Sequence, residues 1–126
     1  DLTPTTNAAR CTTATASSQQ SGMYAGAAVD GNTATAWVPD SANGRLTTDL
    51  AGPVRVKSVT PTWNATKPVA YSIELSLDGR HWRRAVKDDV RLARYVRVTV
   101  RGDAKAKEHP GIAELTVNRA GAPGER

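Results

Sequence analysis

Ile73, Leu75 and Leu77 alternate with Glu74 and Ser76, and Val96, Val98 and Val100 alternate with Arg97, Thr99 and Arg101. A period of two sends one set of side chains to a core and the other to solvent, as half-buried strands do. Residues 112–117 and 46–50 form two further short strands, and Asp78-Gly79 closes the first run with a turn dipeptide. Val54 and Val56 share one parity while Val59 has the other, and a bulge near Lys57-Ser58 reconciles them. Only residues 22–29 are able to form a helical turn. The apolar inventory agrees: Phe is absent, Met occurs once, and Ala and Val supply most of the rest. Strands at this spacing, joined by Gly-, Pro- and Asn-rich connections and showing no internal repeat, predict an all-β sandwich or barrel.

The 126 residues fit one domain. Residues 1–9 read as a linker or lead-in segment, 10–119 as the folded unit, and 120–126 as a flexible tail. Lys and Arg number 17 against 12 Asp and Glu, a formal charge of +5. That excess suits an acidic partner, but most arginines alternate with Val as the solvated face of a strand would, so no nucleic acid is expected. Cys11 is the only cysteine, which excludes an intrachain disulfide and fits a buried, inert thiol. No apolar run approaches the ~18 residues of a membrane span, and no signal peptide is seen. A chain starting at Asp1 reads as a processed or excised piece, its targeting signal lying elsewhere. With only His81 and His109, and no Ser, His and Asp spacing of a triad, catalysis is not expected.

The chemistry concentrates between Ala27 and Trp37. Asp30-Gly31-Asn32 makes a tight turn, because Gly tolerates positive φ and Asx side chains bond their own backbone. Such a turn aims carbonyl oxygens inward, and the Asp30 carboxylate and Thr35 hydroxyl add hard donors. Calcium takes about six to eight oxygens at roughly 2.3–2.6 Å. One more carboxylate from a distant part of the chain would balance the charge. By itself the segment is weak evidence for a cation, since an Asp-Gly-Asn turn is usually just a turn.

Ala28-Val29-Asp30-Gly31-Asn32, followed by Thr35 and Trp37, resembles the signature of coagulation factor V/VIII type C (discoidin) domains, which include the family 32 carbohydrate-binding modules. Thr15-Ala16-Ser17-Ser18 resembles the family's first strand, and Asp49-Leu50 its strand-ending pair. Ser76-Leu77-Asp78-Gly79 with Trp82 looks like its hairpin, and Ala93-Arg94-Tyr95-Val96-Arg97-Val98 like its penultimate strand. Gly111-Ile112-Ala113-Glu114-Leu115 resembles its closing strand. Together these pieces span nearly the whole chain, from about Asn7 to Val117.

The resemblance implies an eight-stranded jelly-roll β-sandwich of the galactose-binding-domain-like kind. It also implies a structural calcium, sometimes sodium, that ties the first loop to the last strand. Its ligands would be the carbonyls of Ala27 and Asn32, the Asp30 carboxylate, the Thr35 carbonyl and hydroxyl, the Ala113 carbonyl and the Glu114 carboxylate. Without a metal, Asp30 is a turn cap and Glu114 a surface residue of an edge strand.

In the family, sugar sites lie on loops at one end of the sandwich. The matching loops are residues 38–45 with Asp40, Asn43 and Arg45; 61–68 with Trp63, Asn64 and Lys67; and 102–110 with Lys105, Lys107, Glu108 and His109. Trp63 is the first choice for stacking on a pyranose, the alternative being a plug in the sandwich end. Tyr24 lines the site from the first loop, while Trp37 and Trp82 are structural. Galactose-binding members place a His soon after the first-loop Trp and an Arg in the second loop. Here Val38, Pro39 and Asp40 follow Trp37, and residues 61–68 hold no Arg, which argues against galactose. Asn64-Ala65-Thr66 is a formal glycosylation triplet without meaning in a bacterial host.

The expected function is a non-catalytic carbohydrate-binding module for a glycan or polysaccharide, covalently linked to a secreted bacterial glycoside hydrolase or related enzyme. Two alternatives remain. One is binding to anionic lipid or polyanion surfaces through Trp63 with Lys67, Lys105 and Lys107. The other is a purely structural accessory domain.

Overall fold

The computed structural model describes residues 7–9, 12–32, 34–64, 66–86, 89–106 and 108–120. Cys11, Lys107, residues 1–6 and the tail from 121 onward lie outside the described residues. The strands are β1 (Thr13–Ala16), β2 (Asn43–Trp63), β3 (Ala70–Ser76), β4 (Arg83–Arg84), β5 (Arg91–Arg101) and β6 (Ile112–Arg119), with one 3-10 helix at Ala25–Val29. Every pairing is antiparallel, in the order β1-β2-β5-β3-β4, and β6 adds to β2. The fold is an antiparallel β-sandwich with almost no helix.

β2 serves both layers. Its first half, Asn43 to Asp49, runs between β1 and β5, and its second half, Val56 to Trp63, pairs with β6. Between Asp49 and Val54 the register with β5 shifts, and Ala51 adopts φ 71°. The Asp49 carboxylate holds this bulge. Its Oδ1 accepts the Ala51 N–H at 2.9 Å, and the Arg94 guanidinium grips both oxygens at 2.8 and 3.0 Å. The Arg94 bonds, then the Ala51 N–H, hold this carboxyl below its usual 3.8. A second shift between Val56 and Ser58 gives the extra residue, Lys57, that the parity of the valines requires. Eight strands are not delimited among the described residues; there are six, because residues 46–50 and 54–59 are one continuous strand.

The core lies between the layers: Leu46, Leu75, Val96, Val98 and Val100 on one side, Val56, Ile112, Leu115 and Val117 on the other. Trp37 closes it at 0% exposure, its indole N–H donating to the Ser18 carbonyl at 2.9 Å. Trp82 is different, since it belongs to neither buried cluster. It is half-buried under the Arg97 guanidinium, 4.0 Å from the ring centroid, on the outward face of the sheet.

Residues 112–115 of β6 are all buried, so both faces of that strand are covered. One face joins the core; on the other, Ala113 packs with Ala36 and Val38. Asn7, Ala8 and Ala9 belong to the folded unit rather than to a linker. Asn7 bridges Asn118, its Oδ1 accepts the Val117 N–H, and Ala9 is buried in the core.

Gly111 allows the closest approach in this region. A Cβ there would run into the Trp37 carbonyl oxygen and come within 2.7 Å of Val38 Cγ2. Gly111→Ala is therefore expected to cost about 1–3 kcal/mol, as overpacking does. Ala51→Gly is expected to gain up to about 1 kcal/mol, because left-handed φ penalises a Cβ. Chemical denaturation of the two variants checks both signs.

Candidate functional site

Four connections are stitched into one end of the sandwich. The first, residues 17–24, is bonded to the segment after Trp37: Gln20 N–H donates to the Val38 carbonyl at 2.8 Å, and Asp40 N–H to Ser18 Oγ at 3.0 Å. The third, residues 64–69, meets the fourth, residues 102–111, through Asn64 N–H to the Gly111 carbonyl at 2.8 Å and Thr66 Oγ to Glu108 at 3.1 Å. Gly102 N–H donates to the Ala42 carbonyl at 2.7 Å and ties the fourth connection to the segment after Trp37. These bonds fix loop backbones that would otherwise lose order.

The side chains expected there divide. Asp40 and Asn64 are exposed at this end, and His109 is half-buried with Nδ1 3.0 Å from the Pro39 carbonyl and 3.3 Å from Gln20 Nε2. Tyr24, at the start of the 3-10 helix, is 55% exposed. Arg45 is not on a loop. It lies on β2 opposite Thr99, facing outward, because β2 already begins at Asn43. Trp63 also departs from the loop expectation: it is the last residue of β2, half-buried against the core, with its ring 5.0 Å from Tyr71 in an edge-on contact. Hence it is no exposed apolar spike for a lipid surface. No helix among the described residues is long and apolar enough to cross a membrane.

Gln20 is the residue that sequence reasoning missed. The polar run Ser17-Ser18-Gln19-Gln20-Ser21 before Gly22 was the available signal, since Gln19 Oε1 also accepts the Ala25 N–H and sets the helix start.

The oxygens of the first loop converge as well. Thr35 Oγ lies 2.6 Å from Asp30 Oδ2 and 2.9 Å from the Asn32 carbonyl, while Asp30 Oδ1 accepts the Asn32 N–H. Trp37 and Ile112 exchange both main-chain hydrogen bonds as an antiparallel bridge. The bridge joins the segment that follows the Asp30 turn to the strand that carries Glu114. The Glu114 side chain is buried, with the residue 8% exposed, and accepts from Asn7 Nδ2 at 3.3 Å. Ala113 is the extra residue where β6 shifts register against Thr62 and Trp63, and a bulged residue is left outside the ladder. Ala27 lies in the 3-10 helix, which packs against β6. The turn and the late carboxylate thus lie on the two segments that this bridge joins, and the donors are all oxygen. Among the described residues no three His, Cys, Asp or Glu side chains cluster, so any cation here would rely on carbonyls.

A concavity also lies away from the loop end. A groove of about 640 Å³ on the flank of the sandwich is lined by Val56, Val59, Tyr71, Ile73, Arg84 and Val86 among others, and contains none of the loop-end residues.

A family model described as F5/8 type C domain matches residues 13–115. Among solved structures, a mutant of chitosan-binding module 1 from a Paenibacillus sp. IK-5 chitosanase/glucanase has a TM-score of 0.80 at 25% identity, covering 89% of this chain and 97% of that one. Chitosan-binding module 2 of the same enzyme, in complex with chitotriose, has a TM-score of 0.78 at 22% identity, covering 89% and 99%. CpGH89CBM32-6 from Clostridium perfringens has a TM-score of 0.74 at 23% identity, covering 90% and 99%. No curated protein sequence matches at significant similarity.

Trp63→Ala is expected to cost about 2–3 kcal/mol, short of the figure for a fully buried aromatic. A shifted denaturation midpoint checks this; an unchanged midpoint would mean that the Trp63 ring adds little to the core.

Proposed function

Because this chain belongs to the F5/8 type C domain family, we propose that it is a carbohydrate-binding module whose glycan site is the loop end of the sandwich. The domain is non-catalytic. The observation that carries the reading is the stitching of four connections, which fixes Asp40, Asn64, His109, Gln20 and Tyr24 at a single end. A carboxylate and amides pair with vicinal hydroxyls, and an exposed phenol ring offers a face to the apolar side of a pyranose. The Paenibacillus modules are named for chitosan, a polycation; a chain of +5 repels such a polymer at long range, so its sugar need not be theirs. In this reading the module serves a secreted bacterial glycoside hydrolase or related enzyme, and tethering raises local substrate concentration.

A glycan array probed with the module is expected to give hits that Asp40→Ala and His109→Ala weaken at least about tenfold, or ~1.4 kcal/mol, with unchanged melting. An array without hits, or hits indifferent to both changes, would sink the loop-end site.

A structural calcium completes the proposal. Ala27, Asn32, Thr35 and Ala113 would give carbonyls, Thr35 its hydroxyl, and Asp30 and Glu114 the carboxylates, a donor set suited to a hard cation. The oxygens already grouped around Thr35, and the Trp37–Ile112 bridge that joins the segment after the turn to the strand carrying Glu114, support this assignment. When bound, the ion would cross-link the first loop to the last strand. A hundredfold excess over Kd would stabilise the fold by about 2.7 kcal/mol. A chelator should lower the melting temperature by several degrees, and Asp30→Asn should abolish that response. Equal melting with and without chelator would count against the metal.

A further inference from the structure

The fate of the strand arginines carries an inference beyond the loop end. Arg91, Arg94 and Arg97 are neutralised within the fold by Asp89 at 2.9 Å, Asp49 at 2.8 Å and Glu74 at 2.8 Å. Arg45, Arg55, Arg83, Arg84, Arg101 and Arg119 are not, and of these Arg45 and Arg101 are neighbours on β2 and β5. Both are exposed, and neither has an ion-pair partner among the described residues. The register places Arg45 opposite Thr99 and Arg101 opposite Asn43, so the two arginines are diagonal neighbours on adjacent strands. Such positions are roughly 7–8 Å apart, a spacing at which uncompensated like charges are unfavourable. Thr47, Thr99 and Ser72 share their outward parity, and Thr15 pairs with Thr47 at the margin. The result is a flat, hydroxyl-bearing surface with two unspent guanidinium forks.

We infer that this outward sheet face, through Arg45 and Arg101, binds the carboxylates of a uronate-containing glycan, at a site separate from the loop end. The inference rests on the reading of the domain as a glycan-binding module. A guanidinium takes a carboxylate with two parallel hydrogen bonds, and hydroxyls beside it suit a sugar ring. Single-stranded nucleic acid fits the face poorly, because it needs open aromatic rings for base stacking. The aromatics available here are covered: Trp82 lies under Arg97 at 4.0 Å and Tyr95 under Arg94 at 5.2 Å.

Affinity electrophoresis through gels containing polygalacturonate tests the inference, with fully methyl-esterified pectin and a DNA oligonucleotide as comparison probes. The wild-type chain should be retarded by polygalacturonate at low salt, and much less at high salt, where exposed charges are screened. The double variant Arg45→Gln, Arg101→Gln should weaken retardation at least about tenfold with unchanged melting. Asp40→Ala should leave it intact. No retardation of the wild type, retardation indifferent to the double variant, or equal retention by esterified pectin or by DNA overturns the face site. Retardation lost with Asp40→Ala and kept in the double variant moves the acidic glycan to the loop end. That outcome rejects this inference while leaving the proposed function standing. Array hits lost together with Asp40, beside polygalacturonate binding lost with the arginines, establish both sites.

Discussion

The pair of main-chain hydrogen bonds between Trp37 and Ile112 is the constraint on which the other features depend. It brings residues distant in the chain into register, and the fully buried indole makes that register expensive to leave. From it follows the burial of β6 on both faces, with Ala36 and Val38 lying over Ala113. The same bridge joins the segment after the oxygen-rich turn to the strand of Glu114 and leads the chain into residues 38–42, one wall of the loop end. A single local pairing therefore organises the closing strand, the oxygen-rich turn and the candidate sugar site together.

Much of this was legible in the residues. Alternating Val and Arg in 96–101 could only be a strand with one dry face, and the conflicting parity of Val56 and Val59 required the bulge found at Lys57. Asp30, Asn32 and Thr35 announced a turn rich in oxygen, because their spacing allows each side chain to bond its neighbours. What was not legible depended on partners far along the chain. Trp63 read as loop because prolines flank it, yet β2 continues that far because β6 supplies a partner up to Ile112. Arg45 was assigned to a loop for a similar reason: pairing with Thr99 extends β2 toward Asn43. Asn7 and Ala9 sat in a segment of Thr and Ala that carries no strand period, and only Val117 gives them their place.

Electrostatics in this domain separate into two kinds. Asp49 and Arg94 fasten a strained bulge, and Glu74 and Arg97 roof Trp82, so these charges are spent on architecture. Partly exposed pairs of this type contribute little to stability singly, but they fix geometry that apolar packing leaves undetermined. Their neutrality is also what makes the remaining cations informative. A net charge says little until one knows which of its members are already satisfied.

Asn7 and Asn118 face each other as an antiparallel bridge, at the opposite end of β6 from Gly111. The chain consequently comes in and goes out side by side, like the two tabs of a zip. A pull on both ends would peel that edge bond by bond instead of loading the strands in parallel. Such a body yields softly along its seam, while the loop pole, at the far end of that seam, would be the last part to feel the strain.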